Sequence, residues 1–384
     1  MKKILLISDM PTHPVRGGNQ QSILAYVKLL GELGYDVFYF LAYDHFYYPF
    51  SHFKETQEQW KDRFFFYKQP FALAIFQKII KKLHRTYEAM LNRYEYKIDV
   101  HYPWGMNRML KHVKNQQKFD AIFINYIWIS KAYKIFPETH KVLFTHDVFS
   151  CLFRRTGNRF FFSTSTKEES KALNRCDTII SVQENESVFF RSLTSKKVYT
   201  TYSPIEGCIT SFCGNKSISY IGANIPFNVE SIHDFVKNVF PLILMEFPDV
   251  VLYIAGTVCE SFDQSLYHSN IVLLGRMNEL DSFYEISDII INPTEKGSGL
   301  KIKSIEALMY NKVLISHPHS VEGFFDQDNV PIKLASNPHE YVNIISTLFN
   351  DPQKIIESKN EVKNYVKKYN TFVKDQMQKA FDCR

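Results

Sequence analysis

The sequence predicts an α/β protein made of two Rossmann-like domains. The 384-residue chain is longer than a single domain of ordinary size. Short apolar runs of the strand type alternate with helical periodicity up to residue 203, and the same alternation starts again after it. Strands that alternate with helices form parallel sheets that helices cover on both faces.

The N-terminal domain, residues 1–203, begins with a continuous apolar run at residues 3–8, which is typical of a buried strand. After a turn-rich loop, apolar residues recur at helical spacing until Gly34 ends the helix. A second strand is predicted directly afterwards, at residues 37–41. Further strands, each separated by enough chain for a crossover, are predicted at residues 121–124, 142–144, 178–182 and 198–201.

The C-terminal domain, residues 204–384, follows a predicted linker near residues 202–216, where proline and glycine interrupt both periodicities. Its first helix, at residues 232–245, contains Pro241, which predicts a kink or a break. Its last helix is a candidate to pack back on the N-terminal domain. Strands are predicted at residues 218–221, 250–255, 271–274, 289–291 and 313–316.

A helical insertion at about residues 44–100 interrupts the N-terminal alternation. Within it, about residues 71–94 form an amphipathic helix with an apolar face and a basic face. Either the helix packs on the domain and leaves its charged face in water, or it makes a peripheral contact with an anionic membrane. The basic face comprises Lys78, Lys81, Lys82, Arg85 and Arg93.

The composition narrows the class of protein. Lysine and arginine number 46 against 40 acidic residues, a dispersed net charge of +6 that does not favour nucleic-acid binding. No stretch approaches the roughly 18 to 20 apolar residues that span a bilayer, and the first residues do not resemble a signal peptide. We therefore expect a cytoplasmic protein, which is able to lie at the inner face of the cell membrane.

The stretch at residues 291–309 is the most informative about chemistry, because it reads as strand, glycine-rich loop and helix. Gly297 and Gly299 lack side chains, so backbone N–H groups there can approach a phosphate closely. Lys301 and Lys303 fall in the first helical turn, where cations oppose the helix dipole. Their presence indicates that a polyanion binds to the loop.

Glu306 lies one turn further along this helix, and its carboxylate can accept hydrogen bonds from ribose hydroxyls. A surface Lys–Glu pair is the alternative interpretation. The loop does not match a P-loop, and no G-x-G-x-x-G follows the first strand. NTPase and NAD-dehydrogenase functions therefore lose their main support.

An ordered series of motifs in the C-terminal half resembles the GT-B-fold glycosyltransferases of the large retaining group numbered family 4, also called group 1. The matching segments are residues 220–224 with Asn228, 254–256, 274–276, 284–288, 297–309 and 321–324. The pattern is similar to a bacterial subgroup of surface-polysaccharide assembly. The resemblance implies two parallel sheets that face each other across an interdomain cleft, with the donor on the C-terminal domain and the acceptor on the N-terminal domain.

The resemblance also implies site residues. In relatives, a glycine loop placed like Gly17 and Gly18 approaches the donor phosphate or the acceptor, and a histidine placed like His146 contacts the donor sugar. The residues alone leave open that the two glycines only form a turn, and that His146 is a strand-end histidine capped by its neighbour. The implied donor-binding residues of the C-terminal domain are Gly297, Ser298, Gly299, Leu300, Lys301, Lys303 and Glu306.

Two departures from the family pattern concern charge. Many relatives carry two glutamates separated by seven residues, but Ser298 stands where the first belongs, and Glu295 is the candidate catalytic substitute. Relatives also commonly carry Arg and Lys after the first donor-domain strand, whereas residues 222–228 contain neither. We expect Lys301 and Lys303 to supply that charge.

These expectations combine into a hexosyltransferase-type enzyme that moves a sugar from a nucleoside-diphosphate sugar to a glycan or lipid-linked acceptor. The resemblance implies retention of the anomeric configuration, and the lysine-based site needs no metal or other cofactor. Two alternatives remain. A nucleotide-sugar epimerase or hydrolase of the same fold would turn over the donor without an acceptor, and a catalytically silent relative would bind a glycan or a protein partner without turnover.

Overall fold

The computed structural model describes residues 1–15, 18–44, 46–157, 162–204, 211–277, 279–296 and 301–382. The chain divides into two compact units. Unit 1 comprises residues 1–204 and 372–384, and unit 2 comprises residues 205–371. Each unit is built around a parallel sheet, as expected when strands alternate with helices.

The described residues of unit 1 form a seven-stranded parallel sheet in the order β3-β2-β1-β4-β5-β6-β7. Its strands are β1 (Lys2–Ser8), β2 (Tyr35–Tyr43), β3 (Phe64–Lys68), β4 (Ala121–Asn125), β5 (His140–Phe144), β6 (Thr178–Ser181) and β7 (Lys197–Thr200). β1 lies between β2 and β4, and its Ile4 pairs with Val37 of β2 and Ala121 of β4. Residues 4–8 are buried on both faces of the sheet, which explains the uninterrupted apolar run in the sequence.

Helices connect these strands and cover the sheet. They are α1 (Gly18–Glu32), α2 (Phe50–Trp60), α3 (Phe71–Met90), α4 (Ile98–His101), α5 (Met106–Gln116), α6 (Leu152–Thr156), α7 (Thr166–Leu173) and α8 (Glu184–Leu193). A 3₁₀ segment, Ile127–Ile135, follows β4 directly. Leu5, Ile122 and Leu143 from neighbouring strands pack with Leu110 and Val113 of α5 in one buried cluster.

The segment predicted as a helical insertion also contributes an edge strand. β3 pairs in parallel with β2, with Leu41 opposite Phe66. Its run of three phenylalanines and a tyrosine favours extended backbone. The sequence pattern missed it because a short edge strand is only partly buried and lacks the continuous apolar signal of a central strand.

The amphipathic helix α3 does not pack on unit 1 through its apolar face. Its buried residues are Ala74, Gln77 and Glu88, so the side that faces the unit is mostly polar. Its apolar stripe is exposed instead, which contradicts the interpretation that only the charged face lies in water. The stripe consists of Phe76, Ile79, Leu83, Tyr87 and Met90.

The described residues of unit 2 form a six-stranded parallel sheet in the order β10-β9-β8-β11-β12-β13. Its strands are β8 (Ser217–Ile221), β9 (Val251–Ala255), β10 (Ile271–Gly275), β11 (Ile289–Asn292), β12 (Val313–Ser316) and β13 (Lys333–Leu334). Gly256 follows β9 with φ of 91° against the carbonyl oxygen of Gly222, a position that a side chain would occupy only with a clash. This close approach brings the ends of β8 and β9 together.

The helices of unit 2 are α9 (Pro226–Asp234), α10 (Phe240–Glu246), α11 (Leu280–Tyr284), α12 (Ile302–Met309), α13 (Pro338–Asn350) and α14 (Pro352–Phe381). The last turns of α14, from residue 372, belong to unit 1. The predicted effect of Pro241 is visible as a π-helical segment, Phe235–Val239, that joins α9 to α10. Proline lacks an N–H group, so the helical hydrogen-bond ladder changes its spacing there.

None of the described helices combines the length and the apolar character that crossing a lipid bilayer requires.

Candidate functional site

The predicted phosphate loop of unit 2 lies where ligands bind in open α/β sheets. β11 is next to β8 at the point where the strand order reverses, and the loop leaves its carboxyl end. Asn292, the last residue of β11, donates a hydrogen bond of 2.6 Å to the Ser304 hydroxyl at the start of α12. This bond fixes the two ends of the loop relative to each other.

Five predicted site residues lie outside the described residues. They are Gly17, Gly297, Ser298, Gly299 and Leu300. Gly18 is described as the exposed first residue of α1.

Lys303 is the best-defined cation of the site. Its ammonium group donates hydrogen bonds to the Asn228 side-chain oxygen and to the Thr294 hydroxyl, both at 2.9 Å. A third bond, of 3.2 Å, goes to the Tyr220 hydroxyl. β8, α9, the loop and α12 thus converge on one charged group. Sequence reasoning missed these three partners.

Within the described part of the chain, the charge of Lys303 has no anionic partner nearby. All three of its hydrogen-bond acceptors are neutral, and no carboxylate of the described residues lies within 4 Å of the ammonium. Burial and, to a smaller extent, the neighbouring Lys301 lower the pKa of Lys303 to about 7. A buried cation without a counter-ion is costly, and a bound anion would offset that cost.

Asn228 links this geometry to one departure from the family pattern. It stands in the segment that follows β8, where relatives carry Arg and Lys. Its side-chain amide donates to the Ala223 carbonyl at 3.0 Å, which orients the amide oxygen toward Lys303. The ammonium of Lys303 therefore lies beside the segment that lacks its own cation.

Lys301 and Glu306 lie on the same helix as Lys303. Lys301 is the residue that precedes α12, and burial lowers its pKa while the Glu322 carboxylate opposes that shift. Burial raises the pKa of Glu306. No hydrogen-bond donor to its carboxylate is present among the described side chains and backbone groups. Glu306 is therefore a half-buried carboxylate with open acceptor positions, as binding of a ribose hydroxyl requires.

Glu295 is placed elsewhere. It is exposed and lines a pocket of about 310 Å³ together with Glu230, Asn337 and Tyr341. Lys301, Lys303 and Glu306 do not line that pocket. The structure thus brings Lys303 together with Thr294 and Asn228, whereas the side chain of Glu295, the next residue after Thr294, lines a pocket to which Lys303 does not contribute.

His146 follows β5 at the carboxyl end of the sheet of unit 1. Its backbone has φ of 63°, in the left-handed region. Burial lowers its pKa to about 3, so the imidazole is neutral at physiological pH. Its Nε2 lies 3.1 Å from the Asn125 side-chain oxygen, and an N–H donated there leaves Nδ1 as an acceptor. Its ring stacks on Tyr126 at 4.2 Å between centroids.

Residues 215–351, within unit 2, match the family described as Glycosyl transferases group 1. A Klebsiella pneumoniae protein described as an uncharacterized 44.6 kDa protein in the cps region is 21% identical over 362 residues, which covers 84% of each chain.

Solved structures share the architecture over the whole chain. TarM from S. aureus, solved as a variant with fondaparinux, α-GlcNAc-glycerol and UDP, has a TM-score of 0.63 at 12% identity, with 100% of both chains covered. HepE from Anabaena, solved with UDP and glucose, has a TM-score of 0.60 at 13% identity and the same coverage. At these identities the similarity concerns the fold, and it confirms the predicted GT-B class with two parallel sheets.

Proposed function

On the premise that residues 215–351 form a group 1 glycosyltransferase domain, we propose that this glycosyltransferase uses a nucleoside-diphosphate sugar to extend a bacterial surface polysaccharide. The observation that carries the donor assignment is the ammonium of Lys303 at the end of β11, whose hydrogen-bond partners among the described residues are all neutral. A diphosphate is the anion that a sugar donor would bring to this position. HepE has been solved with UDP-glucose, so UDP sugars are the donors to test first.

The proposed donor site assigns each predicted residue a role. The backbone of the loop cradles the diphosphate. Lys301 and Lys303 neutralise its charge, and Glu306 accepts hydrogen bonds from the ribose. Gly17 and Gly18 are assigned, from the family resemblance alone, to the donor phosphate or the acceptor. The loop residues in this assignment are Gly297, Ser298, Gly299 and Leu300.

The chemistry follows from where charge develops. The bond between the anomeric carbon and the diphosphate oxygen breaks, while a bond from an acceptor hydroxyl oxygen to that carbon forms. Negative charge grows on the departing diphosphate, where preorganised cations and N–H groups stabilise it most. The departing oxygen takes the proton of the acceptor hydroxyl, on the same face of the sugar, so the anomeric configuration is retained.

The proposal includes no metal ion, because the lysines supply the charge that the diphosphate needs. An Asp-x-Asp triplet is present at residues 326–328, but the carboxylate of Asp326 accepts a bond of 2.7 Å from the Asn329 side chain. The triplet therefore belongs to a turn. Glu295 is the least supported of the predicted catalytic residues, because it lines a pocket to which Lys303 does not contribute.

We assign His146 to a hydroxyl of the transferred sugar, which its neutral Nδ1 accepts. His146→Asn should lower kcat by about tenfold, the effect of one lost hydrogen bond. Asparagine tolerates the left-handed backbone at this position, so the fold should persist. The exposed His112→Asn is the control.

Because the pKa of His146 is about 3, its contribution to the transfer rate should stay constant from pH 5 to 9 in rate measurements. A rate that falls as His146 gains a proton near pH 6.5 would contradict the assignment.

The acceptor is proposed to be a glycan, soluble or lipid-linked, at the cytoplasmic face of the membrane. Support for the polysaccharide role comes from the relative in a cps region, and support for a membrane contact comes from the exposed stripe of α3.

The experiment is a transfer assay with labelled nucleoside-diphosphate sugars and a membrane extract as acceptor, in buffer containing EDTA. We expect a labelled glycan or lipid-linked glycan from one donor. Donor turnover without an acceptor would favour the epimerase or hydrolase instead. Donor binding without any turnover would favour the catalytically silent relative. This alternative is tested because Ser298 stands where many relatives carry the first glutamate.

A further inference from the structure

A second cavity, of about 610 Å³, lies within unit 1. Among the residues that line it, Asp9 follows β1, Asp44 follows β2, and Trp128 follows β4. The cavity therefore lies at the carboxyl ends of the central strands, where the strand order reverses between β1 and β4. This is the position at which doubly wound sheets bind ligands.

One side of the cavity is lined by four cations of α3. Lys78, Lys81, Lys82 and Arg85 are spaced three and four residues apart, so they lie on one side of the helix. None of them has a carboxylate within 4 Å among the described residues. Burial lowers the pKa of Lys81, which is the effect expected of a cation held inside the cavity without a close counter-ion.

The other titratable groups of the cavity do not cancel this charge. Asp44 contributes one carboxylate. Asp9 is hydrogen-bonded to the Trp128 indole at 2.8 Å, and burial raises its pKa. Burial lowers the pKa of His101 to about 3, so this imidazole is neutral. Four cations against two carboxylates leave the cavity positive, which favours an anionic ligand.

Stacked rings lead from the cavity to His146. Trp128, in the cavity wall, stacks on Tyr126 with centroids 4.4 Å apart, and Tyr126 stacks on His146 at 4.2 Å. A ligand whose phosphate contacts the cations would therefore place its neighbouring sugar near the histidine that we assign to the transfer.

The outer surface of α3 has a different character. The apolar stripe runs along the whole helix, with Leu83 and Tyr87 exposed by 61% and 57%. Near its N-terminal end, the ammonium group of Lys78 lies over the exposed ring of Phe46, and that of Lys54 lies over the exposed ring of Phe50. Exposed apolar side chains with interleaved lysines are typical of a surface that lies in the headgroup region of an anionic bilayer.

We propose that the cavity binds the diphosphate of a lipid-linked acceptor, whose lipid chain lies in the bilayer along the apolar stripe of α3. This inference rests on the proposed glycosyltransferase function and names its acceptor class. One helix then serves both parts of the acceptor, because its basic side faces the cavity and its apolar side faces the membrane.

The test is co-sedimentation with phosphatidylcholine vesicles that contain geranylgeranyl diphosphate, compared with vesicles brought to the same surface charge by phosphatidylglycerol. We expect the protein to bind the diphosphate vesicles about tenfold more tightly, and inorganic diphosphate to compete. Lys82→Gln with Arg85→Gln should abolish this preference. Leu83→Ser with Tyr87→Ser should weaken binding to both vesicles, because the stripe inserts irrespective of the headgroup.

The matched control is Lys363→Gln with Lys367→Gln, which removes the same charge from two exposed positions one turn apart on α14 and should leave binding unchanged. Circular dichroism melting verifies the fold of each variant. Equal binding to the two vesicles, absence of competition by inorganic diphosphate, or a preference that survives the Lys82 and Arg85 substitutions would overturn the proposal.

A measurement of UDP affinity on the same variants separates this inference from the proposed function. UDP affinity should be unchanged by all of them, because the substitutions in α3 lie in unit 1 and the control positions Lys363 and Lys367 in unit 2 do not belong to the proposed donor site. If the parent protein prefers the diphosphate vesicles but does not bind UDP, the result would count against the donor assignment alone. Retained UDP binding without a lipid preference would count against the acceptor cavity alone.

Discussion

Lys303→Gln is expected to reduce the affinity for the donor nucleotide by about 10- to 100-fold, as measured by isothermal titration calorimetry. Loss of a charge-assisted hydrogen bond to the diphosphate costs about 1.5–3 kcal/mol. The effect on kcat/KM should be larger, about 100- to 1000-fold, because the negative charge on the departing diphosphate grows in the transition state. The free protein should not melt at a lower temperature, since the substitution removes a cation whose partners in the described part of the chain are all neutral.

The matched control is Lys296→Gln. This lysine lies in the same loop, but it is exposed and pairs with Glu230 at 3.1 Å. The Lys296→Gln variant should bind the nucleotide with the same affinity as the parent protein. A purely structural Lys303 would give the opposite pattern, with a lower melting temperature and an unchanged nucleotide affinity. That pattern would contradict the assignment.

The pH dependence gives a second readout of the same lysine. The pKa of Lys303 is about 7 in the free protein against an ordinary 10.5, so the folded protein loses this proton as the pH rises through 7. The diphosphate binds the protonated form. Affinity should therefore fall by up to about tenfold per pH unit above 7. Lys303→Arg, which stays charged, should keep its affinity over this range, and Lys303→Gln should bind weakly at every pH.

Glu186→Gln is expected to remove a large pH dependence of stability. Glu186 lies in α8 with an exposed fraction of 6%, and burial raises its pKa from 4.5 to about 8. The Asp147 and Glu169 carboxylates contribute smaller parts of this rise in pKa, while a hydrogen bond from Gln183 opposes it. Between pH 4.5 and 8 the unfolded chain loses the proton and the folded protein keeps it. The free energy of unfolding should therefore fall with rising pH by about 1.4 kcal/mol per unit.

Glutamine mimics the protonated carboxyl group and still accepts the 2.9 Å bond from Gln183. The variant should thus equal the parent protein near pH 4.5 and exceed it by several kcal/mol above pH 8. Urea unfolding at a series of pH values measures the difference. The exposed Glu138→Gln is the control and should follow the parent throughout. A Glu186→Gln curve parallel to that of the parent would show that Glu186 is ionised in the folded protein.

The two sheets could be predicted from the sequence because their central strands are buried on both faces. The runs at residues 3–8 and 289–291 are continuous apolar stretches, and the structure confirms them as β1 and β11. β3 could not be predicted with the same rule, because an edge strand is only partly buried. The stripe of α3 was identified from its periodicity, but periodicity defines two faces without saying which one packs on the unit.

The sequence predicted those residues of the site that belong to a local motif, but not the contacts between distant segments. Lys303 was identified from its place after a glycine-rich loop, but its partners Tyr220 and Asn228 are 83 and 75 residues away along the chain. Glu295 is close to Lys303 in sequence and nevertheless lines a pocket to which Lys303 does not contribute. Contacts of this kind depend on how strands and helices pack, which spacing alone does not encode.

The central claim is that unit 2 binds a nucleoside diphosphate through Lys303. The most direct measurement is a thermal-shift panel of the purified protein with UDP, GDP, CMP, ADP and dTDP, because a ligand of the folded state raises the melting temperature by mass action. The account predicts a selective rise with one nucleoside diphosphate, which Lys303→Gln abolishes and Lys296→Gln preserves. No rise with any of the five nucleotides, or a rise that the Lys303 variant retains in full, would contradict it.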